Sequence, residues 1–155
     1  MNIEEIVYQK LLEKNYKVAT AESCTGGLLA GKIINVAGES SVIDMSFVTY
    51  SNEAKCELVS VNPKTIDKYG VVSEEVAKEM AIGAASKAKC KVGLSTTGLA
   101  GPKGEENGKV VGTVCFGIYV DGKVYTYMKV FPNISREYIR NESVNFILEK
   151  LIEVL

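Results

Sequence analysis

The chain has no histidine and no tryptophan, only three prolines and four cysteines among its 155 residues, and no long uninterrupted apolar run. Each absence removes options. Without imidazole there is no Ser-His-Asp triad, no Cys-His dyad and no histidine-ligated zinc or iron centre, so a hydrolase built from this chain needs another base. Cys24, Cys56, Cys90 and Cys115 stand singly, with neither the density of a secreted disulfide scaffold nor the paired spacing of a metal knuckle, and reduced thiols are expected. No segment approaches the roughly 18 apolar residues that a membrane span needs. The opening MNIEEIVYQKLLEKN carries acidic residues early and reads as an amphipathic helix rather than a signal peptide, which points to the cytoplasm. A charge excess is missing as well: 18 basic residues balance 19 acidic ones, so bulk charge suggests neither nucleic acid nor a membrane surface as partner.

What is present is enough apolar material, 46% of residues, for one ordinary domain, which buries about two-thirds of its unfolded surface at this size. A helix is predicted over about 2–14, with Ile3, Ile6, Val7 and Leu11 on one face. A strand at YKVATA precedes TAESCTGG, after which GLLAGKIINVAG predicts a helix closed by Gly38. DMSFVTY, 44–50, predicts a second strand, and Ser51 caps a helix over about 52–59. Pro63 and Gly70 bracket a short irregular or helical piece, and Ser73 caps a helix to about Lys87. KVGLSTT is the third strand, ending in a glycine-rich loop. Asp121-Gly122 is a hairpin turn between GTVCFGIYV and KVYTYMKVF, and a closing helix from about Ser135 carries Val144, Ile147, Leu148, Leu151, Ile152 and Leu155 as its buried stripe. Strands interleaved with helices, then a hairpin and a last helix, predict a three-layer α/β/α sandwich on a mixed sheet. If the first three strands run parallel, the polar clusters Glu22-Ser23-Cys24-Thr25, Tyr50-Ser51-Asn52 and Thr96-Thr97-Gly98 meet on one rim, where such folds bind ligands.

In TAESCTGG, a hydroxyl on a tight strand-to-helix turn, with Gly26 and Gly27 letting backbone approach a ligand, suits a nucleophile beside free N–H groups. It equally suits a capped helix start. Lys55 lies four positions after Ser51 and can point back to the strand end, but serves as a base only if its pKa falls from about 10.4 to about 7 or 8. Otherwise it is a solvated surface lysine, and Tyr50 a half-buried aromatic. The loop TTGLAGPKGEENG, including Thr97, Gly98 and Gly101, either wraps a phosphate or ribose with its N–H groups or is plain surface loop. Arg140, one turn after Arg136, shares a stripe with Val144 and Ile147, so it faces inward and needs an anionic partner, a carboxylate or a ligand phosphate.

Seven ordered segments, TAESCTGG, GESS, FVTYSNEAK, GVVSEEVAKEMAIGA, TTGLAGPKG, VGTV and SREYIR, run from Lys17 to Arg140, and on them the chain resembles the CinA carboxy-terminal domain family. Characterised members are nicotinamide-nucleotide amidases. The resemblance implies a single amidase domain over 1–155, which converts nicotinamide mononucleotide to nicotinate mononucleotide and ammonia in pyridine-nucleotide salvage, without cofactor or metal. It puts the nucleophile on Ser23, the base on Lys55 and an assisting hydroxyl on Tyr50. Backbone N–H groups from Cys24 through Thr25, Gly26 and Gly27 are then the expected oxyanion hole, and Arg140 with the glycine-rich loop the phosphate site. The loop departs from the family's GPxGG pattern, reading GPKGEENG with Glu105 at a glycine place. Many relatives carry a further amino-terminal domain, whose activity is not expected from this stretch. The alternative reading is a non-catalytic nucleotide-binding or regulatory module, and a third is a thiol enzyme using Cys24. The expected partner is a small pyridine mononucleotide, with no nucleic acid and no membrane; a homodimer is a common assembly for so small a pathway enzyme.

Overall fold

A computed structural model of the chain describes residues 1–36 and 42–155. The predicted closure at Gly38 and the GESS segment lie outside the described residues. In order, the elements are α1 (Ile3–Lys14), β1 (Val18–Glu22), α2 (Leu28–Ile33), β2 (Phe47–Val48), α3 (Asn52–Val59), α4 (Pro63–Tyr69), α5 (Glu74–Ala88), β3 (Val92–Gly98), β4 (Thr113–Val120), β5 (Lys123–Val130) and α6 (Arg136–Val154). The strands form one mixed sheet in the order β2-β1-β3-β4-β5. β1 runs parallel to both β2 and β3, so three strand ends share one rim, while β4 and β5 form the antiparallel hairpin turned by Asp121-Gly122.

Local chemistry explains the boundaries. Asn2 and Glu5 form a reciprocal capping box at α1, and Asn15 ends it in the left-handed region. Ser51, Ser73 and Ser135 each accept a backbone N–H at the start of α3, α5 and α6. Two predicted elements are shorter than the sequence pattern indicates. α2 stops at Ile33 because Asn35 and Val36 turn back to the Lys32 and Ile33 carbonyls, leaving Ile34 exposed with nothing to bury. β2 keeps only Phe47 and Val48 of the 44–50 run; next to it the Thr20 N–H goes to the Ser46 hydroxyl at 3.2 Å rather than to a backbone carbonyl, and among the described residues pairing with β1 is met again only at the isolated Val18–Ile43 bridge.

β1 is buried along its whole length, as expected of a strand covered on both faces. On one face Val7, Leu11, Leu29, Phe116, Ile139, Ile147 and Leu148 form a single apolar cluster under α1, α2 and α6. On the other, Ala19 and Ala21 meet Val59, Val76, Met80 and Ala84. α5 lies over β1, β3 and β4, with α3 packed against it. That second contact is intimate at Gly83, where any β-carbon would collide with the Val59 carbonyl oxygen. α3, and with it Lys55, is therefore seated from below by α5.

Candidate active site

At the end of β1 the ladder continues for one more bond, from the Ser23 N–H to the Thr96 carbonyl at 3.0 Å, which fixes Ser23 on the rim beside β3. The chain then turns through Gly26 and Gly27 at φ of 56° and 103°, a region glycine enters without a steric cost. Glu22 is wholly buried just beneath. One carboxylate oxygen accepts the Thr25 hydroxyl at 2.6 Å and the Gly27 and Leu29 amides at 3.1 and 2.9 Å; the other accepts the Thr20 hydroxyl and the Ala30 amide, both at 3.0 Å. The start of α2, which favours anions, is thus occupied by the protein's own carboxylate. The turn is braced from the far side by Arg140, whose guanidinium donates to the Cys24 and Thr25 carbonyls at 2.9 and 3.2 Å.

Lys55 comes from α3. The Ser51 hydroxyl caps that helix on the Ala54 amide at 3.0 Å, and Lys55 and Val59, four apart, share its inward face. The lysine is 1% exposed, yet among the described residues no carboxylate pairs with it. Its Nζ instead donates to Ser23 Oγ at 3.3 Å, to the Thr49 carbonyl at 3.0 Å and to the Tyr50 carbonyl at 3.3 Å. Burial pushes its pKa below the ordinary lysine value, against a smaller opposing pull from Cys24, Cys56 and Glu106. An amine that sheds its proton readily, in contact with a hydroxyl, can accept the proton of that hydroxyl as it attacks. Cys24 is the contrasting neighbour: also buried, it has its thiol pushed up to about 11 by desolvation, so it holds little thiolate.

Ser23, Cys24, Lys55 and Tyr50 open onto a cavity of about 250 Å³, which Thr97, Gly98 and Gly101 also line. The structure brings these seven together around one cavity. Four others named from the sequence it does not bring there. Thr25 turns its hydroxyl down to Glu22 and Thr96, Gly26 and Gly27 spend their N–H groups on the Ser23 carbonyl and on Glu22, and Arg140 is engaged by backbone carbonyls. None of the four lines the cavity. Arg140 faces inward as its stripe predicts, but finds carbonyls rather than an anion. The Tyr50 side chain is 62% exposed, and its hydroxyl accepts Arg136 Nη2 at 3.0 Å instead of meeting Ser23 or Lys55.

Three charged groups in the cavity wall were not assigned to the site from sequence: Lys103, Glu106 and Arg136. Arg136 also donates to the Gly101 carbonyl at 2.7 Å, tying the start of α6 to the glycine-rich loop. The signal available for Arg136 was its place one turn before Arg140, at the start of a helix whose dipole disfavours a cation.

A three-layer α/β sheet with a buried serine and lysine joined across its carboxyl rim defines the class, an α/β protein with a preassembled hydroxyl-amine pair in a cavity. Comparison with known proteins supplies the family: the CinA C-terminal domain profile matches residues 1–155, and the chain belongs to that family. It is 46% identical over 151 residues to a competence-damage inducible protein of Alkaliphilus metalliredigens, an alignment that covers 97% of this chain and 36% of that one. The chain thus spans about a third of the length of the curated relatives it matches. The crystal structure of the competence/damage inducible protein CihA from Agrobacterium tumefaciens superposes with a TM-score of 0.92 at 37% identity, covering 97% of this chain and 94% of that one. A CinA superfamily protein from Escherichia coli gives 0.94 at 35% identity, over 99% and 91% of the two chains. Among the described residues no helix is long and apolar enough to cross a membrane.

Proposed function

We propose that the chain hydrolyses the carboxamide of nicotinamide mononucleotide, giving nicotinate mononucleotide and ammonia. One observation carries the reading: Lys55 Nζ, buried and with a depressed pKa, lies 3.3 Å from Ser23 Oγ on the cavity wall. Neutral Lys55 takes the hydroxyl proton as Ser23 Oγ bonds to the carboxamide carbon. The resulting ammonium gives that proton to the departing nitrogen, the C–N bond breaks and ammonia leaves. Water then attacks the acyl ester with Lys55 again as base, releasing the carboxylate and restoring the serine hydroxyl. The oxyanion needs donors already in place. The Cys24 amide is assigned, because the Ser23, Gly26 and Gly27 amides are committed elsewhere and Cys24, unlike Thr25, lines the cavity.

The phosphate is assigned to Arg136 and Lys103, the cations of the cavity wall, in place of Arg140. Tyr50 contributes its carbonyl to Lys55 and its hydroxyl to Arg136, so its part is to link the base to the phosphate end rather than to relay a proton. The partner is a small pyridine mononucleotide.

Purified protein incubated with nicotinamide mononucleotide releases ammonia, Ser23→Ala does not, and Cys24→Ala retains activity. Binding of the nucleotide with no ammonia above the Ser23→Ala control overturns the amidase reading in favour of a binding module. Loss of activity in Cys24→Ala with retention in Ser23→Ala assigns the chemistry to the thiol instead.

A further inference from the structure

We infer that Glu106 is a specificity-determining residue, whose carboxylate in the cavity wall selects substrates carrying a positive charge on the ring next to the scissile carboxamide. The inference rests on the amidase reading above. Glu106 sits in the stretch GPKGEENG, within an irregular loop whose one regular feature is an isolated bridge between Glu106 and Lys109. Its side chain lines the cavity beside Val72, whose single N–H both carboxylate oxygens share at 3.2 and 3.1 Å. The carboxylate is built into its place. Gly70, at φ of 85°, leaves the space that Glu106 fills, and any side chain there would run into the Glu106 carboxylate and the Asn107 amide.

One shared amide leaves most of the acceptor capacity of a carboxylate unused. Among the described residues no lysine or arginine pairs with Glu106, although Lys103 and Arg136 line the same cavity. The cavity therefore carries separated charges of both signs around a buried amine. A substrate that is anionic at one end and cationic at the other matches it. A ring joined directly to the carbon attacked by Ser23 lies within a cavity of about 250 Å³ that Glu106 also lines, so the ring charge falls within Coulombic reach of the carboxylate. The same electrostatics act on Lys55, toward which Glu106 exerts a stabilising pull on the charged form. A cationic ring opposes that pull and favours the neutral base when the right substrate is bound.

The test compares nicotinamide mononucleotide with its reduced, dihydropyridine form, which has the same ribose phosphate and carboxamide but an uncharged ring. Ammonia release is measured for wild type, Glu106→Gln and Glu106→Asp, with thermal melts to compare their folding. In Glu106→Gln, measured on the pH plateau above the acid limb of each protein, kcat/KM for the cationic substrate falls about tenfold, as expected for one partly solvated charge pair, while the neutral substrate changes less than twofold. Glu106→Asp keeps most of the preference. Equal losses on both substrates, no loss on either, or a loss of preference in Glu106→Asp as large as in Glu106→Gln each overturn the inference. If wild type releases ammonia from neither substrate, it is the amidase reading that fails; calorimetric affinities of the same three proteins for the two nucleotides then decide the role of Glu106, with a preference that disappears in Glu106→Gln upholding it and an unchanged preference overturning it.

Discussion

The two walls of the cavity are built differently. On the β1 side the turn from Glu22 to Gly27 is locked: a buried carboxylate with five donors beneath it, two arginine bonds behind it, and the Ser23 amide on the β3 ladder. On the loop side Lys103 is exposed, Glu106 is half-buried on a single amide, and Arg136 reaches in from an exposed helix start. Reacting groups demand a fixed geometry, which a hydrogen-bonded turn between packed strands supplies. Groups that recognise the ends of a ligand tolerate a looser mount, and loops are where such groups vary. The chemistry is therefore expected to be sensitive to changes beneath β1, and substrate choice to changes in the loop.

That contrast can be broken most sharply at Lys55. Replacement by Ala removes the base and lowers kcat by about 10²- to 10⁴-fold, the usual contribution of a positioned general base, and steady-state ammonia release reads it directly. Glu22→Gln comes next: its amide cannot accept from Leu29 and Ala30 at once, so an N–H of the buried start of α2 is left unmet. A stability loss of about 1–3 kcal/mol is expected, visible in denaturant titration, with a fall in kcat and little change in KM. On the opposite wall, Arg136→Ala should raise KM for the mononucleotide about tenfold, the loss of one charge-assisted phosphate contact. It should leave kinetics on the phosphate-free riboside nearly unchanged; an equal effect on both substrates would remove Arg136 from the phosphate site. Arg140→Ala gives the smallest kinetic effect, and its signature is a lower melting temperature from the loss of two bonds to the turn.

The same division marks what the sequence made legible. Caps, hairpin and helix stripes follow local rules, so Ser51, Ser73, Ser135 and Asp121-Gly122 fall where propensity puts them. The convergence of Ser23, Lys55 and Thr97 follows from parallel strands, which alternating elements imply. What was not legible depended on competition between partners. Glu22 lacked a task because its donors come from residues as much as eight positions on, and Arg140 was given to a ligand because nothing local shows that two carbonyls of the β1 turn await it. Glu106 was hidden for the same reason, since its seat is made by Gly70 and Val72, far away in the chain. Inwardness could be read from a stripe; the identity of the partner could not.

The most direct test of the Ser23-Lys55 pair is the pH dependence of log(kcat/KM) in wild type and Glu106→Gln. A buried base that must be neutral gives an acid limb with slope near one, levelling off below the ordinary lysine pKa of about 10.4 because burial has lowered it. Removing the Glu106 anion withdraws a group that favours the ammonium, so in Glu106→Gln the limb moves to lower pH. A profile that is flat from about pH 6 to 9 in wild type would contradict a base titrating in that range, and a limb that moves upward in the variant would contradict Lys55 as that base.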